Sequence, residues 1–143
     1  LKTKLIPLAH IVTPNIPEAE ALSGMKIHST DDMLLAAKRI LALGCKAVLM
    51  KGGHMAGDAL TDMLVDGNGH EVFTSARIAS THTHGTGCTL ASAIATGLAQ
   101  GMTLSSAVTR ARRYVQEAIK AAPQLGKGHG PLGHSHTVRL FDA

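Results

Sequence analysis

The sequence predicts an α/β protein with a largely parallel sheet and one hairpin. Short, buried-type apolar runs alternate with stretches of helical periodicity, the order strand–helix–strand that favours parallel pairing. A turn-forming run, Asp66-Gly67-Asn68-Gly69, separates two strand-like segments and marks the hairpin. Hydrophobic residues make up 45% of the chain and charged residues 17%, a balance that excludes a disordered chain.

The elements follow in order. Leu1 to Leu8 reads as the tail of a helix. His10-Ile11-Val12-Thr13 is a short apolar strand stopped by Pro14. Pro17 suits the first position of a short helix that runs through Glu20 and Leu22 and ends at Gly24. Ser29 or Thr30 caps a second helix, with Asp31 and Asp32 in its first turn. Met33, Leu34, Ala37, Ile40 and Leu41 recur along it at helical spacing, and Gly44 ends it. Lys46 to Met50 is a buried-type strand closed by Gly52-Gly53, with Cys45 at its opening as a core residue. Ala59 to Val65 and His70 to Thr74 are the hairpin strands, and Ser75 to His84 is loop. A small-residue helix covers about Gly87 to Ala99 and stops near Gly101. Ser105 begins the last helix, which carries Val108, Ala111, Arg112, Val115, Ala118 and Ile119 and ends near Pro123. From Gln124 the chain is Gly- and His-rich and reads as loop. No internal repeat and no linker divides it.

A chain of 143 residues suits one domain with one core. Aromatics are only 2%, so that core is built from Ala, Leu, Ile, Val and Met, whose small volumes allow close helix–sheet packing. The formal charge of +4 suits anionic ligands. There is no dense Lys/Arg stripe, and Tyr114, Phe73 and Phe141 make no stacking platform, so nucleic acid is not an expected partner. Cys45 and Cys88 stand in dissimilar contexts and imply no disulfide framework. No apolar run approaches the roughly 18 residues of a membrane span, and no signal-peptide pattern is read at the start. A reduced, cytoplasmic protein without membrane contact is expected.

The chemistry concentrates in Thr83-His84-Gly85-Thr86-Gly87-Cys88-Thr89, a glycine-bearing loop that runs into a helix. Unpaired N–H groups and the helix dipole attract anions there. Gly85 and Gly87 let the backbone approach a ligand, while Thr86 and Thr89 add hydroxyls. Such a cradle suits the charge that develops on a transferring phosphoryl group. Cys88 lies in the first turn, where the helix field favours a thiolate able to act as a general base or a nucleophile. An inert Cys packed on a tight strand-to-helix turn fits the local pattern equally well. The loop lacks the Lys-Ser/Thr ending of a P-loop, so a different nucleotide-binding architecture is required.

The segment Thr83 to Thr89 resembles the signature of the ribokinase superfamily, in its hydroxymethylpyrimidine/phosphomethylpyrimidine kinase branch. Thr13-Pro14-Asn15-Ile16-Pro17-Glu18-Ala19-Glu20 resembles the family's Asn-x-x-Glu element. Val48-Leu49-Met50-Lys51-Gly52-Gly53-His54 resembles its Lys-Gly-Gly-His strand end, and Gly128-His129-Gly130-Pro131 its closing segment. These matches occur in the family's order across nearly the whole chain. The resemblance implies the C-terminal half of a ribokinase-like, three-layer α/β/α fold. Residues 1–143 would then be the nucleotide-binding and catalytic part of one kinase domain whose N-terminal half is absent.

The resemblance also implies roles. Cys88, at a position most of the superfamily fills with Asp, would be the catalytic base. Gly85, Thr86 and Gly87 would form the anion hole. Lys51, Asn15 and Arg112 would meet the nucleotide, Arg112 standing where this branch usually has Lys. Glu18 would serve Mg²⁺, through water. The implied reaction is ATP-dependent phosphorylation of 4-amino-5-hydroxymethyl-2-methylpyrimidine and its monophosphate in thiamine biosynthesis. Pyridoxal or pyridoxine is the near alternative substrate, and a Cys-dependent hydrolase with His84 assisting Cys88 the distant one. The pyrimidine pocket is expected to need the absent half, supplied by that half or by a dimer partner. For each candidate the plain alternative is structural: helix capping for Asn15 and Glu18, and solvated positions for Lys51 and Arg112. His129, His134 and His136 match no standard zinc spacing and read as loop residues. Ala79, His82 and Gly133 depart from the family's commoner Asp, Asn, and Asn or Asp.

Overall fold

The computed structural model of the chain describes residues 1–53 and 59–138. The chain forms two compact units, Leu1–Arg77 and Ile78–Ala143.

The first unit holds α1 (Ile16–Ser23), α2 (Thr30–Leu41), β1 (Ala47–Lys51), β2 (Ala59–Asp66) and β3 (Gly69–Ala76). Its sheet has the order β1-β2-β3, and both pairings are antiparallel. The expected hairpin is present. Asp66 Oδ1 accepts from the N–H groups of Asn68 (2.8 Å) and Gly69 (3.2 Å), fixing the turn through the Asp side chain. The expected parallel pairing shrinks to isolated bridges, Val12 with Val48 and Asn15 with Lys51. The reason is the connection length. Only residues 52–58 lie between β1 and β2, too few for the crossover that a parallel neighbour needs, so β2 returns antiparallel. The strand–helix–strand signal belongs instead to residues 12–15, α1, α2 and β1.

Local chemistry sets the helix ends. Asn15 and Glu18 form a reciprocal capping box on α1, and Gly24 closes it with a left-handed φ of 70°. Because α1 begins at Ile16, Pro17 takes the second helical position rather than the first. Ser29, not Thr30, caps α2 through a second box with Asp32. α2 buries Met33, Ala36, Ala37 and Ile40 in a core shared with Val48, Met50, Met63 and Val65. Leu1 to Leu8 departs from the expected helix tail. A turn is followed by a short 3-10 helix at Ile6–Leu8, since Pro7 has no N–H with which to extend an α-helical ladder.

The second unit is a helical hairpin, α3 (Thr86–Ala99) and α4 (Leu104–Lys120). α3 buries Leu90, Ile94 and Gly97, and α4 buries Ala107, Val108, Ala111, Val115 and Ala118. At Gly97 an added Cβ would lie 2.9 Å from the Ala107 Cβ, so the crossing depends on the missing side chain. Thr103 caps α4, which therefore starts one residue before the expected Ser105. Among the described residues from 124 to 138, the chain is irregular apart from a bridge at Pro131 and a 3-10 helix at His134–Thr137.

The Ser29–Asp32 box generates a stability test. The His28 N–H and the Ser29 hydroxyl hold the Asp32 carboxyl below the usual carboxylate range. Its folded value being the lower one, it contributes stability above the ordinary range, and that part is lost as pH falls through the folded value. Ser29→Ala is expected to cost about 1 kcal/mol by urea denaturation at neutral pH. Asp32→Asn is expected to flatten the loss of stability below about pH 4.

Candidate active site

α3 begins without a side-chain cap. Gly85 occupies the N-cap in a left-handed conformation, φ 85°. No atom would obstruct a Cβ there, so glycine is required by its backbone angle alone. Thr86 commits its amide (3.3 Å) and its hydroxyl to the carbonyl of Thr83, which closes the loop. The first helical bond then forms at the Thr89 N–H, donating to Gly85 O at 2.9 Å. The amides of Gly85, Gly87 and Cys88 donate to no acceptor among the described residues. They are the donors a helix N-terminus offers to an anion. Cys88 is the third helical residue, and it is exposed.

The closing segment holds this loop from behind. The His84 N–H donates to Gly130 O at 3.3 Å, and His84 pairs with Pro131 in a parallel bridge. His129 Nδ1 donates to Thr81 O at 3.2 Å. The His82 ring lies so close to Gly130 that a Cβ there would meet Nδ1 at 2.0 Å. The sequence matches at Thr83–Thr89 and Gly128–Pro131 thus meet in the second unit. His82 and Gly130 fit each other as a pair.

Cys88 opens onto a cleft of about 590 Å³, walled by Ser92 and Thr96 of α3, Arg110 and Tyr114 of α4, and His134. Arg110 Nη1 donates to Gln100 Oε1 at 2.7 Å. The Tyr114 hydroxyl and His134 Nδ1 share a hydrogen bond of 3.2 Å, their rings stacked with centroids 6.1 Å apart. His136 packs on Tyr114 from another direction, with centroids 4.7 Å apart, and donates from Nδ1 to Gly133 O. Arg112, the expected nucleotide contact, sits half-buried on α4; the cleft wall carries Arg110. Sequence could have suggested the wall, because Arg110 and Tyr114 are spaced i,i+4 on one helix face. It held no signal for His134, which reaches Tyr114 across the tail.

The other candidates gather in the first unit. Asn15 Oδ1 accepts from the Glu18 N–H at 2.9 Å, and Glu18 Oε2 accepts from the Asn15 N–H at 2.8 Å. The capping role foreseen for this pair is therefore present. Glu18 is exposed, with Oε1 outside the box, so it retains a carboxylate oxygen of the hard type Mg²⁺ takes. Asn15 bridges to Lys51, whose N–H donates to Pro14 O at 2.9 Å. Lys51 is thus the half-buried last residue of β1, beside the start of α1. The Gly52 N–H donates to the side chain of Asp62 at 3.1 Å, an acid for which sequence alone offers no role. His54, part of the strand-end match, lies outside the described residues.

The cysteines contrast. Cys45 is buried against Ile40 O, and burial pushes its thiol above the ordinary value. Cys88 is exposed. Iodoacetamide at neutral pH is expected to modify Cys88 alone in the folded chain and both residues in denaturant, read by peptide mass. Modification of Cys45 under native conditions would contradict the packing of α2 on β1.

Residues 1–133 match the family model described as phosphomethylpyrimidine kinase. The chain is 56% identical over 135 residues to the thiamine biosynthesis bifunctional protein ThiED of Geobacter sulfurreducens, covering 94% of this chain and 27% of that protein. It is 46% identical over 134 residues to the hydroxymethylpyrimidine/phosphomethylpyrimidine kinase of Streptomyces coelicolor, covering 94% of this chain and 49% of the kinase. Its fold superimposes on Staphylococcus aureus pyridoxal kinase in complex with AMP-PCP and pyridoxal, with a TM-score of 0.90 and 35% identity, covering 97% of this chain and 52% of that one. The ribokinase-like α/β fold that the sequence implied is thereby established. The chain spans about half the length of the kinases it matches, and by sequence and fold it belongs to the phosphomethylpyrimidine kinase family.

Proposed function

We propose that the chain supplies the phosphate-binding and proton-abstracting part of an ATP-dependent kinase. Its substrates would be 4-amino-5-hydroxymethyl-2-methylpyrimidine and its monophosphate, in the cytoplasm, on the route to thiamine. The observation that carries this reading is the start of α3, where open amides at Gly85, Gly87 and Cys88 occur in the same turn as an exposed thiol.

The chemistry follows from that geometry. The amides take up negative charge on the phosphoryl group as it transfers. The Cys88 thiolate removes the proton from the substrate hydroxymethyl group. The freed oxygen forms a bond to the γ-phosphorus of ATP, the bond to the ADP oxygen breaks, and the proton remains on sulfur. Gly85, Thr86 and Gly87 form the anion hole, Thr86 by locking the turn through Thr83. Lys51 and Arg112 neutralise phosphate charge, and Asn15 holds Glu18 in place through the cap. Mg²⁺ would offset charge on the nucleotide phosphates, with Glu18 as its water-mediated carboxylate.

The Geobacter relative at 56% identity is named for thiamine biosynthesis and the Streptomyces relative at 46% for the pyrimidine, whereas the superimposed pyridoxal kinase is 35% identical, which favours the pyrimidine over pyridoxal. We take residues 1–143 as the C-terminal part of one kinase domain. The pyrimidine pocket is completed by residues outside them, from an N-terminal half or a second copy.

Titration with MgATP is expected to show binding by the chain, undiminished in Cys88→Ala. Paired with the N-terminal half of the Streptomyces coelicolor kinase, the chain is expected to phosphorylate the pyrimidine, and Cys88→Ala to lower turnover about 100- to 10,000-fold at unchanged nucleotide affinity. Robust turnover by the 143-residue chain alone would overturn the shared-pocket reading.

A further inference from the structure

We propose that Asp62 is a positioning residue that fixes where Lys51 leaves the sheet. The inference rests on the reading of Lys51 as a phosphate-facing group.

Asp62 is 4% exposed, the one charged side chain among the buried described residues. It precedes Met63, Leu64 and Val65, all buried, in a strand whose other core positions are apolar. A carboxylate in such a place is costly unless it is bonded, and replacing it with an apolar residue would be the simpler route to stability. One of its bonds runs to the backbone just past β1. Oδ1 accepts the Gly52 N–H at 3.1 Å, one residue beyond the end of β1. In the β1–β2 register Asp62 stands directly opposite Lys51, so the two side chains emerge on the same face of the sheet.

Gly52 makes the contact possible. A Cβ on Gly52 would lie 1.8 Å from Thr61 O, so β1 and β2 approach here more closely than any side chain permits. The flanking residues are held as well. The Lys51 N–H donates to Pro14 O at 2.9 Å, and Gly53 O accepts from Arg77 Nη1 at 2.9 Å. Three successive residues are thus tied to three different segments, and Asp62 supplies the central tie. A lysine side chain is long and loses much rotamer freedom on binding. Fixing its root lowers the further ordering needed when it meets a phosphate. Asp62 therefore acts on the nucleotide through Lys51 and Gly52, without touching it.

The test uses the 143-residue chain, uniformly ¹⁵N-labelled. Asp62→Ala removes the acceptor, and Asp62→Asn keeps a carbonyl oxygen of the same shape. Gly52 amide exchange reports the tie, and titration with a fluorescent ATP analogue plus Mg²⁺ reports its consequence. Asp62→Ala is expected to expose the Gly52 amide to exchange and weaken nucleotide binding about tenfold, with the Gly85 and Cys88 resonances unmoved. Asp62→Asn is expected to keep Gly52 protected and to bind within about threefold of wild type. Wild-type affinity in Asp62→Ala, or lost affinity in Asp62→Asn with Gly52 still protected, would overturn the proposal. Should Asp62→Ala not fold, Asp62→Asn decides between the same outcomes. If the wild-type chain binds no nucleotide, the reading of Lys51 fails separately, and full Gly52 protection in a folded Asp62→Ala chain overturns the tie itself.

Discussion

Backbone N–H groups run out of partners wherever a helix or strand ends, and the chain's chemistry follows from how each end is treated. A buried donor without an acceptor is costly, so ends are normally capped by side chains. α1, α2 and α4 follow that rule through Asn15, Ser29 and Thr103. The amide after β1 follows it through Asp62. α3 does not. Its N-cap is Gly85, which has no side chain to offer, and the amides of Gly85, Gly87 and Cys88 stay open. An end left uncapped at the solvent boundary is an end available to an anion.

The two treatments support each other. An open helix start is useful only if its loop keeps one shape, and here the shape is imposed from outside the helix. Thr86 folds back on Thr83, and the His129-Gly130-Pro131 segment ties residues 81–84. Lys51 shows the same logic on a strand. Its own side chain is unconstrained by the ladder, but the backbone at residues 51–53 is held by Pro14, Asp62 and Arg77. Rigid backbone with a mobile or open functional group at its tip is the arrangement that lowers ordering cost on binding.

What was legible in the sequence divides along physical lines. Caps are local, and Ser29 before Asp31-Asp32 or Asn15 before Pro17 and Glu18 can be read within a few residues. The hairpin is legible for the same reason, since Asp66-Gly67-Asn68-Gly69 carries its own turn chemistry. Sheet direction is not local. Strand–helix–strand order suggested a parallel sheet, yet the short 52–58 connection forces β2 back against β1. Asp62 is easily passed over because a single acid inside an apolar run reads as the solvent side of a half-buried strand, and only its burial and its bond to Gly52 show otherwise. Tyr114 with His134 was invisible because nothing in either segment announces the other. For Cys88 the sequence places the residue in the first turn of α3, and the structure adds that it is exposed; its role as base is part of the proposal.

The face that α3 does not bury bears on the proposed chemistry. Leu90, Ile94 and Gly97 are buried, while Cys88, Ser92, Ala95, Thr96 and Ala99 are exposed. A helix face that remains in water usually carries charge, and none of these residues does. Phosphoryl transfer needs the reacting oxygens shielded from water, because hydrogen bonds to the developing charge are worth far more in a site of low dielectric. With Cys88 exposed, the open amides of α3 compete with solvent for every phosphate oxygen. Under the proposed chemistry, an exposed Cys88 would have to meet the substrate hydroxyl across a surface shielded from water. If the proposed transfer runs here, the uncharged face is one half of such a surface, and the other half has to cover it.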